Sequence, residues 1–147
     1  MKLFTFLKTR FLSFFRDIFV YHTSSLEFRA KLIASVIAIK YGINECEENL
    51  LKEIAKKTYP KDEARAELLI QITKEYINKI IEKNELDINA LIKNIDNELK
   101  KSKRFAYKIN IKDLKKFLEC NKDDEESSII QQRIIEFLQL EIKEYSL

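Results

Sequence analysis

One glycine and one proline in 147 residues leave this chain almost nothing with which to build hairpins. Tight turns between strands draw on residues that tolerate positive φ or pre-set the turn, chiefly Gly and Pro. An all-β fold is therefore excluded. Glu, Lys, Leu, Ile and Ala are abundant instead, and most of them favour helix. The length suits one domain with a sizeable core. The sequence predicts an all-α protein in which residues 23–147 form a compact bundle of about six or seven helices. A separate amphipathic helix over residues 1–22 precedes it.

The same scarcity removes whole chemistries. A single Gly cannot form a Gly-rich phosphate loop or a dinucleotide fingerprint. With His22 as the only histidine, any Ser-His-Asp or Cys-His arrangement would have to pass through it. Cys46 and Cys120 lie far apart in sequence, form no thiolate zinc motif, and read as isolated, reduced cysteines of a cytoplasmic protein. Glu27 and Glu119 are the nearest candidates for an acid–base carboxylate, and capping or surface exposure accounts for both. The chain reads as non-enzymatic, with no catalytic residue, metal or cofactor expected.

The net charge of +3 belongs to residues 1–22, where Lys2, Lys8, Arg10 and Arg16 are set against Asp17 alone. The remaining 125 residues carry 23 basic and 23 acidic side chains. Nucleic acid is not an expected partner of such a neutral body, because it requires basic side chains gathered on one face. The run Lys100-Lys101-Ser102-Lys103-Arg104 reads as a solvated helix end near the negative pole of the dipole.

Residues 1–22 also hold six of the ten Phe. On a helical wheel Leu3, Phe4, Leu7, Phe11, Phe14, Phe15, Ile18 and Phe19 share roughly half the circumference. Lys2, Thr5, Thr9, Arg10, Ser13, Arg16 and Asp17 take the other half, and Phe6 and Lys8 depart from the pattern. Charges interrupt every apolar run, so neither a transmembrane span nor a secretory signal fits. Two readings stay open. In the first, Phe4, Leu7, Phe11, Phe14, Phe15, Ile18 and Phe19, with Lys2, Lys8, Arg10 and Arg16, contact a membrane surface or a protein partner. That reading makes the chain a protein–protein interaction module, peripheral at the cytoplasmic face of the inner membrane. In the second, the helix is core or interface of a soluble homodimeric or partner-bound protein.

Within the body, Ser24 and Glu27 have capping-box spacing, and the helix they open is nearly all apolar from Leu32 to Ile39. A helix apolar on most faces belongs at the centre of a bundle. Gly42 ends it in a left-handed conformation. Asn44 with Glu47 opens a second helix to about Tyr59, Pro60 opens a long third, and Asp87 caps a fourth carrying Ile88, Leu91, Ile92, Ile95 and Leu99. Asn110 caps a fifth; Asp123 or Asp124 caps a sixth, to which the tail adds a last turn.

Residues 32–57 and 111–138 resemble each other: each has an apolar helix, an acidic loop and a second helix opening with Glu. Glu48 lies six residues after Gly42, and Leu50-Leu51 follow. ELLIQITKEY and DINALIKNI occupy the middle, and QRIIEFL follows Cys120-Asn121. On these features residues 26–140 resemble the TerB-like family, especially the helical domain preceding the J-domain in DjlA-type membrane co-chaperones. The resemblance implies a helical fold, a membrane-proximal location and a protein-binding surface. The family's loop aspartates, which it implies as divalent-metal ligands, fall here at Tyr41 and Cys120. Glu45, Glu47, Glu48, Asp123, Asp124, Glu125 and Glu126 remain as an acidic cluster, which helix capping explains. No His-Pro-Asp tripeptide follows His22, so the J-domain's activity is not implied.

Overall fold

The computed structural model describes residues 24–38, 42–81 and 86–146. They form six α-helices: α1 (Ser24–Ile37), α2 (Glu45–Thr58), α3 (Glu63–Ile81), α4 (Ile88–Lys101), α5 (Ile111–Glu119) and α6 (Glu125–Tyr145). A 3-10 helix, Lys103–Lys108, links α4 to α5. The all-α architecture is thus observed, with no strand among the described residues. The expected amphipathic helix over residues 1–22 lies outside them, and so do Ile39 and Tyr41.

Helix starts follow local chemistry. Asn44 accepts from the Glu47 amide at 2.8 Å while Glu47 accepts from the Asn44 amide at 3.1 Å, a reciprocal box that satisfies two otherwise unpaired donors. Asp87, Asn110 and Asp124 cap α4, α5 and α6 without a reciprocal bond, their side chains accepting from the amides of Asn89, Asp113 and Ser127. The third helix departs from the sequence reading. Pro60 sits in the preceding turn, and Asp62 begins α3 by accepting from the Arg65 amide at 3.0 Å. Gly42 does hold a positive φ of 154°, although α1 is described only as far as Ile37. The sequence reading places no 3-10 helix here: Lys100 and Lys101 end α4 as expected, but Lys103 and Arg104 open a further turn.

α1 is the central element. It packs against α3, α4, α5, α6 and the 3-10 helix, and every residue from Leu32 to Ala38 is buried. The one polar residue in that stretch, Ser35, donates to the Leu32 carbonyl at 2.7 Å, so its burial leaves no hydroxyl unsatisfied. Phe28 on α1 meets Phe105 of the 3-10 helix with ring centroids 5.0 Å apart. Around this axis Leu51, Leu69, Leu91, Ile95, Leu99, Phe117, Ile135 and Leu138 are completely enclosed. Among the described residues no helix is long and apolar enough to cross a membrane.

The two similar segments are not equivalent pairs. α5 packs closely on α6, whereas α1 packs most extensively on α3. What meets is their loops, and there the two cysteines come together.

Candidate functional site

Reading Cys46 and Cys120 as isolated thiols is corrected by the fold: the two form a disulfide across 74 residues of sequence. Cys46 lies in the first turn of α2 and Cys120 just past the end of α5. Packing of α2 on α5 brings their Cα atoms to 5.5 Å, within bridging range. Sequence separation carries no information about that approach.

Beside the bridge lies a buried polar knot. Glu47 is fully enclosed, at 0% exposure. Its Oε1 accepts from the Asn44 amide, and its Oε2 accepts from Asn121 Nδ2 at 3.0 Å and Gln131 Nε2 at 3.3 Å. Asn121 Nδ2 also reaches Gln131 Oε1 at 3.1 Å, and Gln131 Nε2 reaches the Val36 carbonyl at 3.1 Å. Asn44 Nδ2 donates to Asn121 Oδ1 at 3.2 Å. The knot therefore ties α1, α2, α6 and the loop after α5 at one point. Of the acidic residues in these two loops, Glu47 is the buried one and Asp124 is a cap. Glu48 turns outward to Lys74 at 2.7 Å, and that hydrogen bond and charge lower its carboxyl pKa. No group of three or more His, Cys, Asp or Glu is placed to hold a metal among the described residues.

A second feature is a pocket of about 230 Å³ open to solvent. Leu32, Ile54, Leu69 and Leu114, from four different helices, form its apolar wall. Arg29, Lys57, Lys108 and Asp113 supply its charged groups. Asp113 is buried and already compensated, with Lys57 at 2.9 Å and Lys116 at 3.5 Å. Arg29 instead donates to the Tyr59 hydroxyl at 2.9 Å and lies 5.5 Å from that ring's centroid, a cation–π contact.

The third is a carboxyl pair that sequence reading missed. Glu141 on α6 is 4% exposed and hydrogen-bonds Asp96 on α4. Asp96 also takes Lys100 at 3.0 Å and the Tyr145 hydroxyl at 3.2 Å. Burial, then the bond to Asp96, then the charges of Asp96 and Glu144 raise the Glu141 carboxyl from 4.5 to about 7, against a smaller opposing effect of Lys100. Asp96 is lowered, chiefly by its hydrogen bond to Lys100. Below about pH 7 the proton of the pair resides mainly on Glu141, while Asp96 stays ionised. Glu141 does not line the pocket, so the pair has no place to meet a substrate there.

A carboxyl whose folded pKa is raised contributes stability that is fully present below 4.5 and is lost as pH rises through about 7. Urea midpoints should accordingly fall between pH 5 and pH 8, and Glu141→Gln should flatten that slope and exceed the parent at pH 8. A parent midpoint that is constant across this range would contradict the assignment.

Of the residues singled out from sequence, Phe4, Leu7, Phe11, Phe14, Phe15, Ile18, Phe19, Lys2, Lys8, Arg10 and Arg16 all lie outside the described residues, as does His22. Glu27 is half-buried on α1 and Glu119 is exposed at the end of α5. The described residues bring together others: Cys46, Cys120, Glu47, Asn121 and Gln131 at the knot, and Arg29, Lys108 and Asp113 at the pocket. No protein-family model matches the chain, and neither a curated protein nor a solved structure matches it.

Proposed function

We propose that this chain is a non-enzymatic helical interaction module held at a membrane surface by residues 1–22. The observation that carries the interaction half is on α6. Its inner face is buried, yet Ile129 is 51% and Leu140 66% exposed, with Ile130 exposed and Phe137 half-buried beside them. At 100° per residue these four fall within one arc of about 100°, and Ile129 and Leu140 are separated by roughly 16 Å of helix. Scattered apolar residues on a surface need no explanation, whereas a stripe along one helix is what a partner surface uses. The membrane half rests on the Phe-rich, basic composition of residues 1–22 beside a body of zero net charge. The resemblance of residues 26–140 to the TerB-like family, whose DjlA-type members are membrane-proximal, supports the same reading.

The bridge bears on which membrane face is involved. Disulfides persist in oxidising compartments. A formed Cys46–Cys120 bond favours a face exposed to such a compartment over the cytoplasmic face expected from sequence.

On anionic vesicles each basic side chain near the surface contributes about 1 kcal/mol, and burial of the Phe face adds a salt-insensitive contribution. Phe14→Glu or Phe15→Glu should therefore abolish co-sedimentation of the full chain with phosphatidylserine-containing vesicles, while its helical circular dichroism is retained. If the substituted chain still sediments, the Phe face is not the anchor. If instead it loses its helical signal, those side chains belong to the core or to a dimer interface.

A further inference from the structure

We propose that the pocket among α1, α2, α3 and α5 binds a small apolar carboxylate. Its ring or hydrocarbon body would lie on Leu32, Ile54, Leu69 and Leu114, and its anionic head against Arg29 and Lys108. This assignment is independent of residues 1–22 and of the α6 stripe.

Size sets the first limit. An apolar cavity of about 150 Å³ admits a benzene. The 230 Å³ here therefore holds a benzene-sized body with room for a compact head group. It falls below the roughly 300–1,000 Å³ of sites for drug-sized ligands, so a nucleotide or larger cofactor would not be enclosed in it.

Charge sets the second. Three cations and one carboxylate line the pocket, and Lys57 is committed to Asp113. That leaves two positive groups. Arg29 is half-buried on α1 and meets only the Tyr59 hydroxyl and ring, with no carboxylate partner among the described residues. Lys108, at the end of the 3-10 helix, is likewise half-buried and has no ion-pair partner among the described residues. Partly desolvated cations without counter-charge favour an anion, because a charge-assisted hydrogen bond there is stronger than its counterpart in water. An amine would meet the same two cations and be repelled. A neutral alcohol would keep the apolar contacts and lose the ionic ones.

Third, the apolar wall and Arg29 are on α-helices, and Lys108 ends the 3-10 helix. Arg29 and Leu32 are one turn apart on α1, and Leu114 follows the Asn110 cap of α5 by four residues. The pocket is thus pre-formed by helices rather than by loops that binding would have to order.

The test uses the full chain with three probes of one shape: 4-ethylbenzoate, 4-ethylbenzyl alcohol and 4-ethylbenzylamine. Titration is followed by amide chemical shifts. The acid should move amides around Leu32, Ile54, Lys108 and Leu114, bind at least about tenfold more tightly than the alcohol, and leave the amine without effect. Arg29→Gln and Lys108→Gln should each weaken the acid by about tenfold and leave the alcohol unchanged. Three outcomes overturn the proposal: no saturable shift with the acid, shifts mapping elsewhere, or equal binding of acid and amine. All three need only the unsubstituted chain, so a variant that fails to fold does not shield the proposal.

Discussion

Reduction of the Cys46–Cys120 bridge should lower stability by roughly 4 kcal/mol, the chain-entropy value for a closed loop of this length. For a body of this size that corresponds to a fall in Tm of roughly 10–15 °C. Thermal melts with and without dithiothreitol measure it directly, and the Cys46→Ser/Cys120→Ser double variant should melt at the reduced temperature in both. The size of the effect reflects what is cross-linked. A separation of 74 residues removes about 1 kcal/mol more of unfolded-state freedom than a 15-residue loop would, because closure entropy grows only with the logarithm of length. The bond also fastens the first turn of α2 to the loop after α5 beside the Glu47 knot, so its loss should be felt at Asn44 and Asn121 first. Hydrogen exchange at those amides should accelerate on reduction before that of Leu99 or Ile95, which lie in the enclosed core. A melt indifferent to reductant, or a parent chain with two titratable thiols under oxidising conditions, would overturn the assignment.

Features that depend on neighbours in sequence were readable; those that depend on distant segments meeting were not. The Asn44–Glu47 box, the Asp87 cap and the Asn110 cap each rest on a hydrogen bond spanning two or three residues. The apolar run of α1 fixed its central place for a similar reason, since a helix without a polar face has nowhere else to go. Pro60 misled because a proline before a helix marks its start only approximately; the cap came from the shorter side chain of Asp62. Two further signals of the sites lie in the sequence. On α6, Gln131 and Glu141 share the face of Ile134, Leu138 and Tyr145, so polar groups stood at core positions and required partners. What no periodicity could supply was the identity of those partners: Asn121 and Glu47 for Gln131, Asp96 for Glu141. The bridge and the pocket are of the same kind, assembled from two loops and from four helices.

The buried knot predicts a second large loss of stability. Glu47→Ala would leave the Asn44 amide, Asn121 Nδ2 and Gln131 Nε2 without the acceptor they now share, inside a region from which water is excluded. The Val36 carbonyl still takes one Gln131 bond and the Phe117 carbonyl one from Asn121, so the orphaning is partial. With the cavity left by the missing side chain, the expected cost is roughly 3–5 kcal/mol, read as a shift in the urea midpoint. Glu47→Gln separates charge from shape. The glutamine oxygen can serve either the Asn44 amide or the two side-chain amides, and its NH₂ then faces donors at the other end. Rotating Asn121 to accept would sacrifice its bonds to the Phe117 carbonyl and Gln131 Oε1. Glu47→Gln should therefore fall between parent and Glu47→Ala, at about 1–3 kcal/mol. A loss below 1 kcal/mol for Glu47→Ala would mean that water replaces the carboxyl oxygens at little cost, and the knot would then not be what holds the two loops in register. Because the knot and the bridge share the junction of α2 with the loop after α5, their losses should not add. A Glu47→Ala chain should lose less on reduction than the parent, since part of what the bridge fastens has already come loose.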